Sequence, residues 1–238
     1  VSSLSPYVLI SLGKDRRCLT AAYRYLIMGT IGATLYISGV GLMYMVTGTL
    51  NIADLAILVP EMVDSRTIHA ALAFLTVGLA LKAALFPLHM WLPNAYAYAP
   101  SAVTVFLAAT ATKVAIYAFI RVVFTIFGDI DILAALPIRY LLMGLAIAAM
   151  FAGSAVAIYQ NNAKRLLAYS SVAQIGYMIL GISMDSVTGV TAGIVHLFNH
   201  ALMKGALFMA LGAIMLQTGS VDLRDMRGIG HRMPLTMA

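Results

Sequence analysis

Apolar residues run along this chain in long unbroken stretches separated by short polar segments, without the period-two alternation of membrane strands. A spanning helix needs about 20 largely apolar residues. The pattern predicts six: Tyr25–Thr47, Thr67–Met90, Ala102–Phe127, Arg139–Gln160, Leu166–Met184 and Val187–Gln217, the last long enough to be tilted or locally irregular. Val1–Leu12 reads as the tail of a further apolar helix, too short to span alone. Met233–Ala238 reads as the start of another, with Pro234 in its first turn. The expectation is an all-α polytopic membrane protein, one membrane domain over residues 1–238, truncated at both ends inside helices, with no initiator Met and no signal peptide.

Composition agrees with the pattern. Of 238 residues, 62% are hydrophobic and 10% charged, against roughly 25% charged in an ordinary soluble domain. Such a chain cannot cover a soluble surface, and its hydrophobicity is the opposite of a disordered chain's. The net charge of +6 raises the question of nucleic acid, but there is no basic run with interleaved aromatics, so none is expected. The charges follow the crossings instead. Lys14, Asp15, Arg16, Arg17 and Arg24 lie in the first loop, and Asp54, Glu61, Asp64 and Arg66 in the second. Trp91–Ser101 has none. Asp129 and Asp131 follow, flanked by Arg121 and Arg139, then Lys164 and Arg165, then Asp185, then Asp222, Arg224, Asp225, Arg227 and Arg232. Positive and acidic loops alternate, which by the positive-inside rule places the first loop and the carboxyl end in the cytoplasm. Cys18, the single cysteine, cannot form an intrachain disulfide and reads as a reduced cytoplasmic thiol.

Three lysines, Lys82, Lys113 and Lys204, fall inside the predicted spans, and no Asp or Glu lies at mid-depth. A central cation costs at least about 2.5–3.5 kcal/mol on insertion scales, so such residues point to use. Snorkelling to an interface is the bland alternative. It suits Lys82 better than Lys113, which is far from both ends of its helix. His196, His200 and Lys204 repeat at i, i+4 and i+8, which stacks them on one helix face about 6 Å apart along the axis. Three titratable groups in line suit a proton relay. Buried structural hydrogen bonding and a shared zinc are the rivals, the zinc weakened by the absence of a nearby Cys, Asp or Glu. Ser170, Gln174 and Tyr177 form a polar stripe on the fifth span, and Thr110 and Tyr117 flank Lys113. Each taken singly suits interhelical hydrogen bonding.

The second predicted span contains Lys82 followed by Pro87, His89 and Pro93. A proline removes a helical donor, and irregular backbone at depth is tolerated only against protein or a wet cavity. A lysine just before such a break is the arrangement of an ion pathway; the alternative is an ordinary proline kink. Trp91, Tyr96 and Tyr98 are expected to form an interfacial aromatic belt.

These residues carry a resemblance. Leu81–Ala95, ending Met90-Trp91-Leu92-Pro93-Asn94-Ala95 and followed by Ala99-Pro100-Ser101, resembles the antiporter-like membrane subunits of respiratory complex I and of Mrp-type cation/proton antiporters. So do Lys113-Val114-Ala115-Ile116-Tyr117, ending at Arg121, Lys164–Ser171 with Gln174–Tyr177, and His196–Gly205. The D subunit of the Mrp type is the nearest in flavour. The resemblance implies an antiporter-like inverted-repeat helix bundle with a broken helix. Residues 1–127 would be most of a first repeat and 132–238 part of a second. It implies proton translocation by Lys82, Lys113, His196, His200 and Lys204; the residues themselves add His89, Tyr117 and Gln174 as expected supporting polar groups and Pro87 and Pro93 at the expected helix break. It also implies a glutamate just before Val1 and a Lys or Glu beyond Ala238. Asn94 departs from the family, in which Asp is common.

The expected function is that of an ion-translocating membrane subunit of a multisubunit cation/proton antiporter. The alternatives are a proton-pumping subunit of an NADH:quinone oxidoreductase or related hydrogenase complex, and a non-transporting membrane scaffold. The sequence has no quinone, flavin or iron–sulfur motif and no hydrolytic site, so no cofactor or metal is expected in this chain. Any redox enzyme activity would lie in partner subunits. The expected partners are the lipid bilayer, other membrane subunits, protons and, in the antiporter reading, sodium. The expected location is a bacterial-type inner or plasma membrane.

Overall fold

The computed structural model describes residues 4–13, 15–128 and 138–237. Lys14, Asp129 and Asp131 of the charge pattern lie outside them, as does most of the boundary expected between two repeats. The helices are α1 Leu4–Ser11, α2 Arg16–Thr47, α3 Ile52–Glu61, α4 Arg66–Ala83 and α5 Leu92–Tyr98. They continue with α6 Ser101–Ile126, α7 Ile138–Ile158, α8 Ala163–Ser183 and α9 Val187–Thr218. Two short turns, α10 Ile229–Arg232 and α11 Pro234–Met237, follow. Among the described residues the only extended pairing is an isolated bridge between Asn162 and Asp222. Six helices (α2, α4, α6, α7, α8 and α9) are long and apolar enough to cross a bilayer, and the chain is an all-α multi-pass membrane protein.

The bundle is built from close pairs, α2 on α4 and α7 on α8. α9 packs across α8 and the first half of α6. Without a hydrophobic drive between helices in lipid, small residues must let backbones approach. Gly78 does this for α2 and α4: a Cβ there would stand 2.8 Å from both the Gly32 carbonyl oxygen and the Tyr36 nitrogen. Lys82 follows one turn later on the same face of α4.

Several elements differ from the sequence reading. α2 begins at Arg16, not Tyr25, because Asp15 caps it, its carboxylate accepting the Arg17 N–H at 2.9 Å. Arg16, Arg17 and Arg24 therefore ride on the helix, not in a loop. The acidic second loop contains helix α3, capped by Asn51 and carrying Asp54 in its first turn, where the helix dipole favours it. Lys164 and Arg165 are not loop charges either; they lie in the first turn of α8.

The second predicted span ends at Ala83, seven residues before Met90. Ala84 takes up the left-handed conformation at φ 57°. Its N–H bonds the Leu81 carbonyl at 3.2 Å and the Leu85 N–H bonds that of Ala80 at 2.9 Å, the paired bonds that close a helix end. The chain restarts as α5, with Pro93 in its first turn, so Pro93 opens the second half and does not break the first. The aromatic belt is also corrected: Trp91 and Tyr96 are only 5% and 1% exposed. Trp91 points inward because its indole N–H donates to the Leu81 carbonyl at 3.0 Å, capping the broken end.

Candidate functional site

Lys82 stands in the last turn of α4, near the carbonyl end of the helix dipole and not at mid-helix. It is half-buried and faces a cavity of about 440 Å³ between α1, α2, α4 and α6, shared with Tyr25, Trp91 and Thr110. Lys113 lies on the other side of α6, which is not a uniform helix. Leu107–Ala111 and Val122–Ile126 are π-helical turns that bracket the regular segment Thr112–Arg121. A π turn carries one extra residue and loosens the carbonyl ladder. Three successive carbonyls at the first turn accept side chains: Phe106 from Thr110 Oγ1 at 2.8 Å, Leu107 from the Tyr96 hydroxyl at 3.1 Å, and Ala108 from the Lys113 ammonium.

Lys113 is buried and lies within electrostatic range of His200 and Lys204 on α9. On α9 the expected His196–His200–Lys204 stack is present. The two imidazole rings lie 6.0 Å apart, inclined by 25°. His200 is fully buried and neither ring nitrogen has a hydrogen-bond partner among the described residues. It is within electrostatic range of both Lys113 and Lys204. The polar stripe of α8 meets this line. His196 Nε2 pairs with Gln174 Oε1 at 2.6 Å, and Tyr177 meets His196 edge-on at 6.1 Å. The Lys204 ammonium donates to the Leu167 carbonyl at 2.8 Å and to Ser170 Oγ at 3.1 Å.

Lys113, His200, His196, Lys204, Gln174 and Ser170 thus gather between α6, α8 and α9, while Lys82 faces its own cavity across α6. Tyr117 does not join them. It is 56% exposed and lines a different cavity with Tyr36 and Arg121. His89 is buried in the helix break, stacked on Phe86 at 5.3 Å and edge-on to Tyr169 at 6.4 Å. Pro87 lies in the same break, outside both flanking helices. Among the described residues no cluster of three or more His, Cys, Asp and Glu is placed to hold a metal.

Two features escaped the sequence reading. Lys164 is 5% exposed, and its ammonium donates to the Ala99 carbonyl at the end of α5 at 3.1 Å. The buried Cys18 thiol donates to the neighbouring Tyr98 carbonyl at 3.0 Å. The other feature is the pair of π turns; nothing in residue type marks them, although a lysine with no acidic partner is a reason to look for freed carbonyls.

The chain has relatives in sequence and fold among known proteins. The model of a family described as NADH:quinone oxidoreductase/Mrp antiporter, TM, matches residues 1–238. The N subunit of the NADH-quinone oxidoreductase of Desulforudis audaxviator is 45% identical over 237 residues, covering 100% of this chain and 47% of its own length. The D subunit of the Na(+)/H(+) antiporter of Alkalihalophilus pseudofirmus is 34% identical, covering 96% of this chain and 46% of its own length. A chain of the membrane-bound sulfane sulfur reductase, an archaeal respiratory membrane complex, superposes with a TM-score of 0.88 at 34% identity, covering 99% of this chain and 47% of its own. The chain spans about half the length of the relatives it matches.

Proposed function

Since this chain belongs to the NADH:quinone oxidoreductase/Mrp antiporter transmembrane family, we propose that it carries protons within an ion-translocating subunit of a multisubunit cation/proton antiporter. The relay would run from Lys82 through Lys113 and His200 to His196 and Lys204. One observation carries the reading: a fully buried imidazole, His200, has both nitrogens unpartnered among the described residues and lies between two buried lysines. Buried polar atoms are almost always paired. A ring left open between two cations suits a group that takes and gives a proton or a bridging water in turn. The Coulomb energy of two unit charges 6.0 Å apart, the His196–His200 separation, is about 2.8 kcal/mol at an effective dielectric near 20. A proton on one ring therefore drives the next proton onward.

A second reading has the relative at 45% identity in its favour: a proton-pumping membrane subunit of an NADH-quinone oxidoreductase. In either assembly the partners would be other membrane subunits, in a bacterial-type membrane, with the redox chemistry outside this chain. The expected organisation in two repeats remains part of the proposal. It draws support from the matching ends of α2 and α9, where Thr47-Gly48-Thr49 and Thr218-Gly219-Ser220 each place a glycine at φ 71° and 74° behind a threonine bonded one turn back.

The test is proton flux in inverted vesicles carrying the complete protein in its complex. Lys113→Ala is expected to abolish flux. Undiminished flux would falsify the relay and favour a scaffold. A response to added sodium selects the antiporter, and a response to NADH selects the pump.

A further inference from the structure

Tyr96 lies on α5, the second half of the broken helix, and its ring is almost wholly enclosed. A buried phenol needs a partner for its hydroxyl. The partner is not in its own helix. It is the Leu107 carbonyl, the first residue of the π turn that precedes Lys113, at 3.1 Å. The backbone of Tyr96 is held as firmly, its carbonyl accepting the buried Thr104 hydroxyl at 3.0 Å. On its third side the ring meets Phe208 of α9 edge-on, 5.8 Å between centroids at 90°. Phe208 is buried and stands one helical turn beyond Lys204. One side chain thus joins the broken helix, the π turn that seats Lys113 and the helix that carries the histidines.

We propose that Tyr96 is a positioning residue for proton transfer, its hydroxyl pinning the π turn at Leu107–Ala111 so that Lys113 faces His200. A π turn can migrate along a helix, and each residue it passes turns by about 100° relative to its neighbours. Such a turn would carry Lys113 off the Ala108 carbonyl and away from α9. A bond from the rigid α5 to Leu107 fixes the extra residue in one place. Thr110 Oγ1 on the Phe106 carbonyl secures the same turn from within α6.

This inference rests on the relay reading, and its test separates the two. Tyr96→Phe removes one oxygen and keeps the ring that packs on Phe208. In vesicles with the complete protein in its complex, it is expected to lower proton flux about tenfold, equivalent to about 1.4 kcal/mol on the barrier. It is also expected to move the midpoint of the flux–pH profile, because Lys113 then meets a different set of neighbours. Amide hydrogen exchange should rise in the segment spanning Leu107–Lys113, with the amount of protein in the membrane unchanged. Lower flux with an unmoved pH midpoint and unchanged exchange assigns Tyr96 an ordinary packing role and overturns the proposal, as does unchanged flux. Undiminished flux in Lys113→Ala overturns the relay itself; the exchange measurement on Tyr96→Phe still reads the π turn.

Discussion

Gln174 offers a graded test of the relay, because it touches His196 and nothing in it titrates. Its amide oxygen lies 2.6 Å from His196 Nε2, so the ring donates there and leaves Nδ1 as the acceptor. Tyr177 edge-on and His200 in a stack hold the ring in that orientation. Gln174→Glu keeps the shape and replaces the amide oxygen with a carboxylate. A neutral hydrogen bond contributes about 0.5–1.5 kcal/mol and one to a charged group about 1.5–3. The imidazolium at His196 would therefore be favoured by roughly 1.5 kcal/mol more than beside the amide. Each 1.4 kcal/mol is tenfold in rate, so a proton reaching His196 would leave it about tenfold more slowly. Gln174→Ala, which removes the bond without trapping the proton, should cost less, about fivefold at most for a bond of 1 kcal/mol. The assay is the initial rate of dye-reported proton uptake in inverted vesicles, with protein amount measured by immunoblot. Parent-like flux in Gln174→Glu would exclude His196 from the path, and a greater loss in Gln174→Ala than in Gln174→Glu would show that the glutamine acts by packing.

Two further predictions concern the scaffold that holds the site. Trp91→Phe should destabilise the folded chain by about 0.5–1.5 kcal/mol, because the Leu81 carbonyl at the broken end of α4 loses one of its two donors and keeps only the Ala84 N–H; thermal unfolding followed by circular dichroism measures it, and an unchanged midpoint refutes the cap. Gly78→Ala should cost about 1–3 kcal/mol by forcing α2 and α4 apart where a Cβ meets backbone at 2.8 Å. The same unfolding measurement reads it, and full stability would show that the two helices can slide.

The spans were legible because lipid leaves the backbone no partner but itself, and that demand writes long apolar runs into the sequence. Lys113 was legible for the converse reason, since a cation deep in such a run has no cheap explanation. Lys164 was not. A lysine at a helix end is normally a topology charge, and only the approach of α5, which brings the Ala99 carbonyl to its ammonium, buries it. Trp91 and Tyr96 were misread in the same way, as membrane-interface aromatics, because the break folds their segment inward against Leu81 and Leu107. α3 escaped because ten residues are too few to register as a span and its acidic residues matched the loop pattern. The π turns left no mark at all, since one surplus residue in a turn alters neither hydropathy nor composition.

The buried lysines share a solution that bears on how a relay can work. Lys113 rests on the Ala108 carbonyl, Lys204 on the Leu167 carbonyl with Ser170, and Lys164 on the Ala99 carbonyl. Each takes a carbonyl as its acceptor, and the Arg17–Asp15 salt bridge is exposed. The choice of partner matters. An ion pair in a low dielectric would hold the proton on the amine, and breaking such a pair costs about 3–5 kcal/mol. A carbonyl accepts from an ammonium and from a neutral amine alike, so the lysine keeps a partner in both states and the proton is not trapped. Carbonyls are scarce inside a regular helix because each already serves the amide four residues on. For two of the three the structure supplies them at irregular points, a π turn beside Lys113 and the end of a broken helix beside Lys164; Lys204 shares the Leu167 carbonyl of the regular α8 and adds Ser170 Oγ as a second acceptor. Irregular backbone is therefore one place where a buried cation can be seated reversibly, and the π turn at Leu107–Ala111 provides it for Lys113.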